Sequence, residues 1–294
     1  MKTLTFYSNG ALKLGLETEA GVIDVESAAK QSELEDTPIS VQQVIEGGEK
    51  ALEKLRALQK KALEKGIQHL KLEELKLGPA VPAPSKLICI GLNYKRHADE
   101  CNLPYPKEPV VFSKFSNALT GHKNEIVIPK EAHQVDYEVE LAIIIGAKTK
   151  KISEQDALSA VYGYATANDV SARDWQFKSA QWLLGKTVDD FCPVGPYLVS
   201  KDQVLNPNKL LLKTEVNGEV RQNSTTADMI FSCEQIISYL SHHMTLCPGD
   251  IILTGTPEGV IMGEPEDKRN WLKDGDVVTV EVEGLGKLEN TFRK

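Results

Sequence analysis

The 294-residue chain has the length of one large domain, or of a small domain joined to a larger one. With 34 basic against 42 acidic residues and a formal charge of −8, it has no electrostatic support for binding nucleic acid through phosphates. No segment approaches the roughly 18 continuous apolar residues of a membrane span, the start "MKTLTFYSNG" lacks a leader's apolar stretch, and the five cysteines form no CxxC pair, so free thiols in the cytoplasm and no membrane contact are expected.

Residues 2–6, 11–17 and 21–24 read as three short strands joined by the turns "SNG" and "EAG". A helix follows in "SVQQVIEGGEKALEKLRALQKKALEKG", where apolar residues fall at helical spacing and the Lys and Glu form a solvated face. "LGPAVPAPSK", with three prolines, reads as a linker, so a small α+β N-terminal domain (1–75) is expected to precede a larger body (76–294). The body reads as strand-rich, with strands near 86–91, 109–112, 125–128, 138–146, 161–169, 195–199, 210–217, 250–253 and 277–283. Helices are expected only near 153–160, 171–182 and 228–240, which makes the fold class α+β and mainly β.

Two phosphate-binding signatures fail on spacing. "LLGKT" would need a glycine at position 180, which is Ala, and "GLG" at 284–286 lacks the third glycine of a dinucleotide fingerprint. The adjacent His242 and His243 point apart and read as core or surface histidines.

"DYEVEL" at 136–141 is more informative. Strand alternation puts Asp136, Glu138 and Glu140 on one side, and the following "AIIIG" makes both faces of the strand apolar. Carboxylates at the mouth of a buried strand must protonate, pair with Arg or Lys, or hold a cation. Oxygen-only donors suit Mg²⁺, Mn²⁺ or Ca²⁺; an ion-pair network is the competing outcome. In "YATANDVSARDWQ", Asp169 ends a strand just before a helix that Ser171 would cap, which places a third carboxylate at a sheet's rim. In "GLNYKRHADE", His97 and Glu100 are three apart, side by side on a helical turn. They form either a general base with its orienting acid or a plain surface pair.

Taken together, "GLNYKRHADE", "VVFSKF", "VDYEVELAIIIG", "ATANDVSARDWQ", "GKTVDDFCPVGPYLV", "MTLCPGDIILTGTPEGV" and "LKDGDVVTVEVEGLGKLENTF" resemble the fumarylacetoacetate hydrolase family, in family order from about residue 85 onward. The resemblance implies a mixed β-sandwich roll, usually a homodimer. It also implies a Mg²⁺ or Mn²⁺ site, one ion per subunit, on Glu138, Glu140 and Asp169, with Asp136 as support. Lys186 is the implied basic residue near ion and substrate, Arg173, Gln176 and Thr256 the implied substrate contacts, and His97 with Glu100 the implied dyad on a lid over 93–106. The implied activity is divalent-metal-dependent carbon–carbon cleavage of a small 2-oxo acid, by acylpyruvate hydrolysis or oxaloacetate decarboxylation through a stabilised enolate. An isomerase, hydratase or sugar-acid dehydratase, for instance one acting on 2-hydroxyhepta-2,4-diene-1,7-dioate, is the alternative within the family. "QFKSAQWLLGK" offers Phe177 and Trp182 either to a partner or to the core.

Overall fold

The computed structural model describes residues 1–294. The three N-terminal strands form as β1 (Lys2–Ser8), β2 (Ala11–Thr18) and β3 (Gly21–Asp24). The short helix α1 (Val25–Ser32) was not expected. It starts because the Asp24 carboxylate accepts the Ser27 N–H, and it stops at Glu33, whose φ of 55° is left-handed. Helix α2 (Val41–Glu64) is capped by Ser40 and kinks at Gly48, where φ is 52°.

The body follows in chain order: β4 (Leu87–Gly91), α3 (Lys95–Glu100), β5 (Val110–Ser113), β6 (Leu119–Thr120), β7 (Glu125–Val127), β8 (Val135–Asp136) and β9 (Val139–Ile145). Then come β10 (Val161–Asn168), β11 (Ser171–Ala172), α4 (Arg173–Gln176), α5 (Leu183–Lys186) and β12 (Cys192–Ser200). The chain ends with β13 (Leu211–Val216), β14 (Glu219–Thr225), α6 (Cys233–His243), β15 (Ile251–Leu253), β16 (Val277–Val282) and β17 (Gly286–Arg293).

One large mixed sheet runs β3-β2-β1-β12-β10-β9-β15-β4-β5, with β6 beside β12; a five-stranded sheet runs β14-β13-β16-β17-β7, and β11 pairs with β8. The fold is α+β with mostly sheet content. Val139, Leu141, Ile143 and Ile145 pack with Val278, Val280, Leu288 and Phe292 of the smaller sheet. Ala142 and Ile144 face the other way, into a core shared with Val44, Leu52 and Leu55 of α2. Strand β9 is therefore buried on both faces, which is why it reads as unbroken hydrocarbon.

Several expectations are corrected. "LGPAVPAPSK" is no free linker: Leu77, Ala80 and Val81 are buried, and the Gly78 and Ala80 N–H groups bond to Thr5 and Val194 carbonyls. β1 also pairs directly with β12, so residues 1–75 extend the sheet of the body. The helix expected at 171–182 is reduced to α4, with α5 starting beyond it at Leu183, and the one at 153–160 is a single tight turn, Ala157–Ala160. "DYEVEL" is not one strand either. The chain leaves β8 after Asp136 and enters β9 at Val139, because Asp136 is drawn toward Arg173 and the backbone of Ile261 and Met262.

Candidate active site and metal centre

Antiparallel pairing of β9 with β10 sets Ala167 opposite Glu140 and Asn168 opposite Val139. Just past β10, the Asp169 N–H donates to the Glu138 carbonyl at 2.9 Å, and the Glu138 N–H donates to Asn168 Oδ1 at 2.9 Å. The register thus brings three acids from two strand ends together. One carboxylate oxygen from each of Glu138, Glu140 and Asp169 lies within 4.8 Å of the others, and all three residues are buried.

Cations surround two of these acids. Lys186 Nζ donates to Glu138 Oε2 at 2.6 Å and to Asp169 Oδ2 at 2.7 Å. Arg173 donates to Glu138 Oε1 at 2.6 Å, to Asp136 Oδ2 at 3.0 Å and to Gln176 Oε1 at 3.0 Å. Lys114, fully buried, donates to the Asp169 carboxylate and to the Val170 carbonyl. Burial would raise the Glu138 carboxyl, but Arg173 and Lys186 bring it down to about 2. Burial would lower Lys186, yet Asp169 and Glu138 hold its ammonium above the usual lysine range.

Glu140 differs. Its Oε2 accepts the Gly255 N–H at 2.6 Å, and no cation bridges it. Burial, then the charges of Asp169 and Glu138, push its carboxyl well above the usual range. Four buried carboxylates (Asp136, Glu138, Glu140, Asp169) thus meet three buried cations (Lys114, Arg173, Lys186), leaving one negative charge over, on the residue that completes the triad. An all-oxygen donor set with unbalanced charge fits a hard divalent ion.

His97 Nδ1 lies 2.7 Å from Glu100 Oε1, and Glu100 Oε2 accepts the Gly259 N–H at 2.9 Å. His97 is only 5% exposed, so the pair is not a surface ornament. Both glycines of "GTPEG" therefore hold an acid through the backbone, Gly255 on Glu140 and Gly259 on Glu100. Their φ values of 100° and 96° are why glycine stands at each place. His97, Glu138, Glu140, Arg173, Gln176, Lys186 and Thr256 line one cleft, open to solvent, whose remaining walls include Ile90, Phe112 and Trp182. All nine expected site residues thus gather here, with Asp169 behind Lys186 and Glu100 behind His97.

Ser171 does not cap a helix; its hydroxyl donates to the Asp169 carbonyl, and Ala172 occupies the capping position of α4. Phe177 is exposed and Trp182 packs edge-on against Phe112, so neither is core. Two residues escaped the sequence reading. Lys114 follows β5 in "VVFSKF" with no spacing that links it to Asp169. Gln222, on β14, accepts the Val139 N–H and donates to Thr256 Oγ1 at 3.0 Å, tying the smaller sheet to the site.

A cleft that gathers buried acids, lysines and an oriented imidazole on strand ends defines an enzyme. The profile described as fumarylacetoacetate (FAA) hydrolase C-terminal matches residues 86–293, and the chain belongs to the fumarylacetoacetate hydrolase family. It is 44% identical over 280 residues, 95% of this chain and 85% of the relative, to the mitochondrial oxaloacetate tautomerase fahd2 of Xenopus laevis. Among solved structures, maleylpyruvate hydrolase from Sphingobium sp. SYK-6, in complex with manganese(II) and pyruvate, superposes with a TM-score of 0.79 at 28% identity, covering 100% of this chain and 99% of that one. The 2-hydroxyhepta-2,4-diene-1,7-dioate isomerase of Mycobacterium marinum superposes with a TM-score of 0.73 at 31% identity, covering 100% and 98%. No helix of the chain is long and apolar enough to cross a membrane.

Proposed function

We propose that this enzyme forms the enolate of a small 2-oxo acid of the oxaloacetate or acylpyruvate class, with Glu138, Glu140 and Asp169 as ligands of one Mg²⁺ or Mn²⁺ per subunit. The observation that carries the proposal is the uncompensated Glu140 beside an oriented His97 in one cleft. The bound ion would supply the positive charge that stabilises an enolate oxygen. Lys186 adds an ammonium fixed between Glu138 and Asp169. Arg173 is held on Asp136 and Glu138 and fixes the Gln176 side-chain oxygen, which leaves the Gln176 amide N–H groups for a substrate oxygen. Thr256, steadied by Gln222, offers its hydroxyl from the other loop.

Glu100 accepts a hydrogen bond from the Nδ1–H of His97, which keeps that proton on Nδ1, so Nε2 carries the free lone pair and serves as the base. Removing a proton from C3 of oxaloacetate gives the enolate, and returning it to oxygen gives the enol: keto–enol exchange, favoured by the oxaloacetate tautomerase relative. Carbon–carbon cleavage is the second outcome. His97 then takes a proton from water, hydroxide adds to the acyl carbon of an acylpyruvate, and the breaking bond leaves its electrons on the pyruvate enolate; the maleylpyruvate hydrolase likeness favours this. Decarboxylation of oxaloacetate leaves the same enolate without a base. We assign catalysis to residues 76–294 and a sheet-extending role to 1–75. We infer a homodimer, supported by exposed Phe115, Phe177 and Leu184, and a reducing compartment such as the cytoplasm, supported by five free cysteines.

The test supplies oxaloacetate and acetylpyruvate with Mn²⁺ and follows enol absorbance and pyruvate release separately. Turnover of at least one substrate is expected, and His97→Ala should lower the enol-exchange and hydrolysis rates by about 100-fold or more. Wild-type rates in that variant, or no turnover of either substrate, overturn the proposal.

A further inference from the structure

We infer that His97, Glu100 and Cys101 form a second metal site, one that takes a borderline ion of the Zn²⁺ class and thereby disables the His97 base. One potential ligand atom from each of the three lies within 4.8 Å of the others. The sequence spacing explains this: Glu100 lies three residues after His97 and Cys101 four, so all three project from one side of α3 and its C-terminal end. The donors are an imidazole nitrogen, a carboxylate oxygen and a thiol, the set that suits Zn²⁺ rather than Mg²⁺. The Glu138, Glu140 and Asp169 triad has only oxygens. The two clusters therefore sort ions by softness within one cleft.

Tetrahedral zinc, with bonds of about 2.0–2.3 Å, sets its ligands roughly 3.3–3.8 Å apart, so a contraction of about 1–1.5 Å from the 4.8 Å limit closes the site. Glu100 is already steadied by the Gly259 N–H, the kind of outer bond that orients a metal-ligating carboxylate. A solvent-open chamber lined by Glu100, Cys101, Leu103, Met262 and Glu264 gives an entry path and leaves a fourth position for water. Binding exchanges the Cys101 thiol proton for the metal–sulfur bond, and nothing is oxidised. If the ion takes His97 Nδ1, the ring proton shifts to Nε2; if it takes Nε2, the lone pair is used. Either way Nε2 cannot accept a proton. This inhibitory consequence rests on the base role proposed for His97, whereas the binding does not.

The test uses the full chain with saturating Mn²⁺, to which Co²⁺ or Zn²⁺ is added. A sulfur-to-cobalt charge-transfer band should appear, vanish in Cys101→Ser and Cys101→Ala, and survive in Cys247→Ser. Zn²⁺ should inhibit turnover, a tenfold increase in Mn²⁺ should not relieve it, and Cys101→Ser should raise the half-inhibitory Zn²⁺ at least tenfold relative to its own uninhibited rate. A band absent from the wild type, or unchanged in both Cys101 variants, overturns the site. A Cys101-dependent band with undiminished turnover overturns the inhibition, and relief by Mn²⁺ shows that Zn²⁺ acts at the carboxylates instead. Absence of turnover with Mn²⁺ alone would mark failure of the proposed function, while the cobalt band still reads the site.

Discussion

Glu140 is held by one backbone N–H and faced by two other carboxylates, while Glu138 and Asp169 each have cationic partners. At neutral pH and without metal it must either stay charged in a buried place or take up a proton, and both cost free energy. Glu140→Gln keeps an acceptor for Gly255 and turns an amide toward its acidic neighbours. Metal-free Glu140→Gln should therefore be more stable than the wild type, by about 1 kcal/mol or more, which is roughly 2–4 °C in melting temperature. Saturating Mn²⁺, about 100 times its dissociation constant, should stabilise the wild type by about 2.7 kcal/mol and the variant hardly at all. Paired melting curves with and without Mn²⁺ check this; a variant destabilised without metal contradicts it. The acids were legible in the sequence because charge beside pure hydrocarbon is conspicuous. Their cation Lys114 was not, since 55 residues separate it from Asp169 and only the folded sheet brings them together.

The pairing of α4 with α5 matters more than either short helix alone. A Cβ on Gly185 would lie 2.4 Å from the Gln176 nitrogen and 2.6 Å from the Ala172 carbonyl oxygen, both backbone atoms that cannot swing aside. The missing side chain lets α5 lie against α4, which delivers Lys186 to the same carboxylate that Arg173 holds. Gly185→Ala should separate the two helices, cost about 1–3 kcal/mol of stability through overpacking, and lower turnover more than Lys186→Arg does. Comparing both variants by denaturant titration and by steady-state rate tests this, and a Gly185→Ala enzyme of wild-type rate counts against it. Strands β4, β9 and β16 were readable from apolar runs and turn residues to within a residue or two, whereas β14 and β17, with no unbroken apolar run, were not. The break between α4 and α5 was not, because "QFKSAQWLLGK" keeps a helical composition while its backbone yields to the demands of the site.

On the scale of the whole molecule, the layers explain what the N-terminal segment contributes. Helix α2 covers the face of the large sheet that bears Ala142 and Ile144, so the strand carrying Glu140 is dry on both sides. Two-sided burial was legible in "AIIIG", but which segment supplied the second layer was not, since a Pro-rich stretch reads as a tether until its backbone bonds are seen. The same dryness seals thiols inside the fold. Burial pushes Cys192 up to about 12 and Cys233 higher still, and burial followed by the Asp169 charge raises Cys89 well above its ordinary 9.0. For a group whose folded pKa is raised, the stability it contributes is complete below the unfolded value and is lost as pH climbs toward the folded one. The unfolded chain ionises these thiols from pH 9.0 upward while the folded one keeps them neutral. Each thiol then removes about 1.4 kcal/mol per pH unit, and the three together roughly 4 kcal/mol. Against a domain stability of about 5–15 kcal/mol, unfolding is expected within a few pH units above 9, with reductant present to exclude disulfides. Urea midpoints should thus fall steeply between pH 8 and pH 10.5, and Cys192→Ala should remove about 1.4 kcal/mol per pH unit of that fall above pH 9. An equal slope in the variant would mean that other groups govern the alkaline limit.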